Sequence, residues 1–370
     1  MSSLGLVMIV KNEAHGIADT LATIAPYIGC WTILDTGSTD GTQALIRREL
    51  AGIEGQLHED PFVDFSTSRN RALDLHGMKT PFTLMLDSDD RVHGGVDLRD
   101  YLDELANYDI PDPAYLIERR GDTSWWMPMV LWTPKRWRYS GRVHEAISGP
   151  HGEAASKRVD GVWVTQERSS RSAASSRHRW LRDLELLMQE DYYKPNVPRT
   201  VFYLAQTHQC LGQLDDALRE YQRRVALGGW ADETFEAMLR KAFVMRDLRH
   251  DWRAVQEALL AAHSFDPARA EPLWAIAEHY RLAGDLPLCL LYAERAADMP
   301  MPASGLFVDR EIYDWKAADL VAVSAYYVCQ KIKSERVRAQ GFSAAYVALR
   351  ERPNDPRLAA NVAFYERLVL

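Results

Sequence analysis

The sequence predicts an α/β half with a Rossmann-like, mostly parallel sheet, followed by an all-α half built of helical repeats. Three observations predict it. Short apolar runs at residues 4–10, 30–34 and 81–86 alternate with helix-spaced stretches and end in polar clusters. From Trp180 onward, small and large apolar residues recur at helical spacing. Between these halves, residues 166–179 are basic, serine-rich and nearly free of apolar side chains. The expected division is therefore a sheet domain over 1–165, a flexible basic linker or lid over 166–180, repeats over 181–302, and further helices packing on them over 303–370.

The whole chain sets outer bounds. Its 370 residues suffice for two cores, and a formal charge of −8 argues against a large nucleic-acid footprint. The cysteines, Cys30, Cys210, Cys289 and Cys329, lie far apart without a Cys-x-x-Cys spacing, as buried reduced thiols would. No basic leader opens the sequence and no uncharged segment is long enough to span a bilayer. A soluble protein of the reducing cytoplasm is the expectation.

In chain order, residues 4–10 are continuous and apolar, as a central parallel strand requires. The run breaks at Lys11-Asn12-Glu13, after which Ile17, Leu21 and Ile24 mark a helix face. The second strand ends in Asp35-Thr36-Gly37-Ser38-Thr39-Asp40-Gly41-Thr42, where a helix begins. Such a junction offers backbone N–H groups and a positive dipole end to an anion, with Ser38 and Asp40 in the loop and Asp35 placed to accept hydrogen bonds from a ribose or base. Ordinary helix capping by Ser38 or Asp40 accounts for the same residues. A short third strand is expected at 56–58. A helix follows with Ser66 or Thr67 as its cap, carrying Arg69 and Arg71 in its first turns. Cations there oppose the helix dipole, and a bound diphosphate would explain them.

The next strand runs into Asp87-Ser88-Asp89-Asp90. In open α/β sheets ligands sit beyond the carboxyl ends of the strands, and Asp87 and Asp89 at alternate positions supply hard oxygen donors suited to Mg²⁺ or Mn²⁺. A metal clamp on a nucleotide diphosphate is the expectation; an acidic turn before a helix is the plainer reading. Neither Gly-x-Gly-x-x-Gly nor a P-loop is present, which weakens dinucleotide and nucleoside-triphosphatase readings. An aromatic-dense stretch over 125–139 offers rings for stacking on sugars, Trp125 or Trp126 first, although most of these rings fit a core equally. If a hydroxyl attacks, its proton calls for a nearby base, and Glu145 and Asp122 are the candidates.

Five ordered motifs over residues 4–147 carry a family resemblance: 8–13, 35–42, Asp64-Phe65-Ser66 with Arg69-Asn70, 86–90, and Gly141-Arg142-Val143-His144-Glu145. Together they resemble the family 2 glycosyltransferases of GT-A fold, in the bacterial and phage branch with C-terminal tetratricopeptide repeats. The resemblance implies an inverting, metal-dependent transfer from a nucleotide-sugar, usually UDP-linked. It implies that Lys11, Asn12, Glu13 and Asp35 hold the base and ribose, that Arg69 lies near the base or diphosphate, and that Asp87, Asp89 and His144 hold the metal. The sequence leaves the acceptor open among a peptide, a glycan, a small molecule and a modified base. Rival readings are a nucleotidyltransferase, and a repeat-based adaptor whose glycosyltransferase module is inactive.

Arg168, Arg171 and Arg177 in the basic segment are candidates for a lid over the diphosphate, beside a plain linker reading. Beyond it, Val201, Leu204, Ala205, His208, Gly212, Ala217 and Tyr221 match the tetratricopeptide pattern. Leu273, Ala277, Tyr280, Gly284, Cys289 and Ala293 repeat it, and Phe243, His250, Val255, Ala262 and Pro267 fit a degraded middle copy. Stacked helix pairs of this kind leave a face for an acceptor, a protein partner or a second subunit. His208, His250, His263 and His279 show no metal-ligand spacing.

Overall fold

The computed structural model describes residues 2–108, 114–121, 123–152, 154–155, 157–166, 173–302 and 305–369. The chain divides into two compact units, Met1–Tyr193 and Lys194–Leu370.

The first unit is a curled mixed sheet flanked by helices. Its elements are β1 (Leu4–Val10), α1 (Ile17–Ile24), β2 (Cys30–Asp35), α2 (Thr42–Glu49), β3 (Glu54–Glu59), α3 (Phe65–His76), β4 (Phe82–Met85), β5 (Asp90–His93), α4 (Gly95–Leu105), β6 (Ala114–Arg120), β7 (Trp125–Trp132), β8 (Arg138–Ser140), β9 (Ala146–Ser148), β10 (Lys157–Gln166) and α5 (Ala173–Tyr193). The eight-stranded sheet has the order β3-β2-β1-β4-β7-β6-β10-β5, with β8 and β9 forming a separate ribbon. β3, β2, β1 and β4 are mutually parallel, which puts the ends of β1 and β2 side by side at Val10 and Asp35. β7 runs antiparallel to β4 and β6, and β5 closes the far edge antiparallel to β10. The parallel run of β3, β2, β1 and β4 is the part the apolar runs predict; the other half is mixed, with β6 and β10 parallel, and carries weaker alternation.

The core gathers Leu4, Leu6 and Met8 of β1, Ile17, Leu21 and Ile24 of α1, and Phe82 and Leu84 of β4. On the opposite face Val7, Leu34, Ala72 and Met85 pack together. Gly5 on β1 is obligatory, because a methyl there would collide with His76 and Thr80. The cap of α3 is Asp64, whose carboxylate accepts from the Thr67 N–H at 2.7 Å, not the expected Ser66 or Thr67. An extended Asp64 is the last residue outside the helix, and its side chain reaches the donor first.

His76 is buried, with Nδ1 3.0 Å from Thr32 Oγ1 and Nε2 3.2 Å from Thr80 Oγ1. Burial, reinforced by the Lys79 cation, pushes its pKa down to about 4. Below about pH 6.5 the unfolded chain therefore takes up a proton that the fold refuses, so stability falls as the pH drops from there towards 4. Unfolding free energies from urea titrations at pH 7 and pH 5 should differ by about 2 kcal/mol from this group. His76→Gln should remove that share of the slope, and an unchanged slope would assign it elsewhere.

The second unit is all helical: α6 (Pro198–Cys210), α7 (Leu214–Leu227), α8 (Ala231–Asp247), α9 (Trp252–Phe265), α10 (Glu271–Ala283), α11 (Leu286–Ala297), α12 (Ala317–Ile332), α13 (Glu335–Glu351) and α14 (Pro356–Arg367), with a π-helical turn, Ile312–Lys316, before α12. Each helix packs on the next. The pattern residues Val201, Ala205, Ala217, Tyr221, Ala277, Cys289 and Ala293 are buried in the seams. The turns inside the pairs each contain a left-handed residue: Gly212, Arg249, Gly284 and Lys333. Among the described residues there are thus four helix pairs and a further helix, one pair more than the sequence pattern showed.

No described helix is long and apolar enough to cross a membrane. Cys30, Cys210, Cys289 and Cys329 are free thiols.

Candidate functional site

The polar cluster at the ends of β1, β2 and β4 is knitted largely to itself. Asn12, in a left-handed conformation, accepts the Thr39 N–H on its side chain (2.8 Å) and gives its own N–H to Ser38 Oγ (2.9 Å). The Glu13 N–H reaches Thr42 Oγ1 (2.8 Å), and the Ala14 N–H reaches Asp40 (3.0 Å). Asp35 is fully buried and accepts from the Gly37 and Ser38 N–H groups, both at 2.7 Å. Its other oxygen has no hydrogen-bond partner among the described residues. Ser38, Asp40 and Asn12 thus staple the turn after β1 to the loop after β2, while Lys11 stays exposed.

Beyond β4 the carboxylates meet arginines. Arg69, on the first turns of α3, bridges Asp87 Oδ1 and Glu145 Oε1, each at 2.6 Å, with its guanidinium 5.3 Å from the Tyr139 ring centre. Arg119, on β6, lies 3.4 Å from Asp87 Oδ2 and 2.9 Å from Asp90 Oδ1. Burial raises the Asp87 pKa, but Arg69 and Arg119 outweigh it and leave the carboxyl below its usual range. Asp90 goes the other way: burial, then the Asp87 charge, raises its pKa against the pull of Arg119. Asp89 accepts from Gln166 Nε2 at 2.9 Å. The β8–β9 turn holds His144, exposed and left-handed.

Among the described residues no three His, Cys, Asp or Glu side chains come together to hold a metal. Asp87, Asp89 and His144 therefore do not form the donor set the sequence suggested: both Asp87 oxygens face guanidinium groups, and the Asp89 carboxylate faces an amide. Glu145, the expected base, is tied to Arg69. Asp122, Arg168 and Arg171 lie outside the described residues, and Arg177 lies on α5. Trp125 and Trp126 are half-buried on β7, the latter 4.8 Å beneath the Arg158 guanidinium. Arg71 pairs with Asp60 at 2.9 Å on the surface. Sequence reasoning missed Arg119 and Tyr139. The signal for Arg119 was a charged pair, Arg119-Arg120, inside a strand-length run; Tyr139 closed the aromatic-dense stretch without being singled out.

No family model matches the chain. A TPR repeat-containing protein of Synechococcus elongatus is 33% identical over 106 residues, covering 28% of this chain and 25% of that protein, so the match spans a quarter of the relative's length. Among solved structures, MamA is 12% identical with a TM-score of 0.35, covering 51% of this chain and 99% of its own. The C-terminal part of a TPR repeat-containing protein of Cytophaga hutchinsonii is 15% identical with a TM-score of 0.39, covering 51% of this chain and 66% of that one. A TPR protein of Thermus thermophilus is 16% identical with a TM-score of 0.32, covering 53% and 94%.

The Synechococcus, Cytophaga and Thermus proteins are named for tetratricopeptide repeats, and none of the four names refers to sugar transfer. The glycosyltransferase resemblance, the enzyme class and the UDP-sugar donor drawn from it are corrected on that finding.

Proposed function

We propose that the chain is an adaptor whose helical repeats dock a protein segment, and whose first unit is a folded module without a transferase role. The observation that carries the reading is an aromatic groove of about 430 Å³ between α12 and α14. Tyr326, Tyr327, Phe364 and Tyr365 line it beside the amides of Gln330 and Asn361. Tyr327 and Phe364 remain 56% and 51% exposed. Exposed rings beside amide groups suit a partner that inserts an apolar side chain and keeps its backbone hydrogen-bonded. The first unit supports the non-transferase half of the reading, since Asp87 and Glu145 are both ion-paired with Arg69.

Peptide display against the full chain tests the proposal. A selected peptide should bind roughly tenfold to thirtyfold more weakly to Tyr327→Ala or Phe364→Ala. Asp89→Ala should leave its affinity unchanged. Selection that yields no ligand, or a ligand lost on Asp89→Ala and indifferent to the groove, would overturn the adaptor reading.

A further inference from the structure

The segment between α11 and α12 lies against a second set of polar groups. Arg269 is fully buried and gripped by Glu271, with Nη2 2.7 Å and Nε 3.0 Å from its oxygens. Tyr313 Oη donates to the same carboxylate at 2.8 Å, and the guanidinium lies 4.4 Å from the Phe235 ring centre. So fixed, Arg269 turns Nη1 and Nη2 towards the backbone carbonyl of Leu306, each at 3.4 Å. One helix away, Arg240 of α8 is held by Glu236 at 2.6 Å and covers the Phe307 ring at 5.3 Å. Leu306 and Val308 are buried on either side of that ring.

The receptor groups are rigid and their occupant fits them poorly. The contacts within Arg269–Glu271 and Arg240–Glu236 are short, whereas those to the Leu306 carbonyl sit at the outer limit of hydrogen bonding. Phe307 is held at φ 53°, a conformation that a bulky side chain adopts only under constraint. The second oxygen of buried Glu236 has no hydrogen-bond partner among the described residues. A buried acceptor without a donor favours any occupant that brings one.

We infer that this face of α8 and the start of α10 is a recognition surface for an extended protein segment, and that Leu306–Phe307–Val308 is its internal stand-in. The partner is an apolar–aromatic–apolar stretch. Its backbone carbonyl meets Arg269, its ring meets Arg240, and an N–H or O–H group serves Glu236. This inference rests on the adaptor reading and adds a second, self-occupied face to it.

The probe is a fluorescein-labelled peptide with the sequence of residues 301–310, followed by fluorescence polarisation on the full chain. Phe307→Ser removes the ring from the internal segment. Gly305→Ala displaces it independently, because a methyl there would stand 2.8 Å from Val308 and 2.9 Å from Arg269 Nη1. Both variants should bind the peptide about tenfold more tightly than the unaltered chain, whose site is filled from within. Adding Arg240→Ala to Phe307→Ser should reverse the gain. Equal binding by all forms, no binding by either variant, or a gain indifferent to Arg240→Ala would overturn the inference. Circular dichroism melts confirm that the variants are folded. Should this experiment fail while display peptides still bind the α12–α14 groove, the adaptor reading stands without the internal stand-in.

Discussion

Replacing Arg269 with methionine is expected to destabilise the helical unit by about 3–5 kcal/mol, because it strands Glu271 as a buried, uncompensated charge. Glu271 is almost fully buried, and beyond Arg269 its carboxylate accepts from the Tyr313 hydroxyl. Methionine fills much of the arginine stem's volume, so the loss reports the charge and not a cavity. Urea unfolding followed by circular dichroism measures it. The double change Arg269→Met with Glu271→Leu should recover a large part, since an apolar pair is often no less stable than a buried ion pair. A single-variant loss under about 1 kcal/mol would mean that water or another cation reaches Glu271.

Arg119→Met is the corresponding test in the sheet unit. Arg119 is the cation beside both Asp87 and Asp90, and Asp90 is fully buried. Its removal should cost about 3–5 kcal/mol at pH 8, where Asp90 is ionised in the intact protein. The cost should shrink as the pH falls, because protonating Asp90 removes the stranded charge. The sign follows from the raised Asp90 pKa: the fold already holds that proton more tightly than the unfolded chain does, and losing Arg119 strengthens the preference. Asp90→Asn in the same background should restore stability at pH 8. A loss equal at pH 5 and pH 8 would show that Arg119 acts by packing and not by charge.

The two halves were legible to different depths, for physical reasons. β1, β2 and β4 are buried on both faces, and continuous apolar runs give such strands away. β8 and β9 are three-residue strands with little burial, and nothing in their composition separates them from loop. In the repeats, Gly212 and Gly284 announced their turns, but Arg249 and Lys333 occupy equivalent left-handed positions. The pair α12–α13 was hidden because a lysine stands where the pattern supplies glycine.

At the candidate site the sequence displayed the acidic residues and concealed their counterions. Asp87 and Asp89 invite a metal reading as long as they are considered alone. Arg69 lies 18 residues away from Asp87 and Arg119 lies 32 away, so no local spacing couples them. Ser38 and Asp40 read as ligand contacts for the same reason: their partners, Asn12 and Ala14, come from the preceding turn. Long-range pairing converted a set of apparent ligands into internal bonds.

The position of β5 has a kinetic corollary. It is made early in the sheet unit, yet among the described residues its ladder is with β10, which is made much later. That edge cannot zip until the intervening strands exist, and closing so long a loop carries an entropic delay. The helical unit needs only neighbour-to-neighbour docking, so each pair can settle as it is completed. During synthesis the segment made first would then mature last, and an unzipped β10 margin would be the state most prone to clumping.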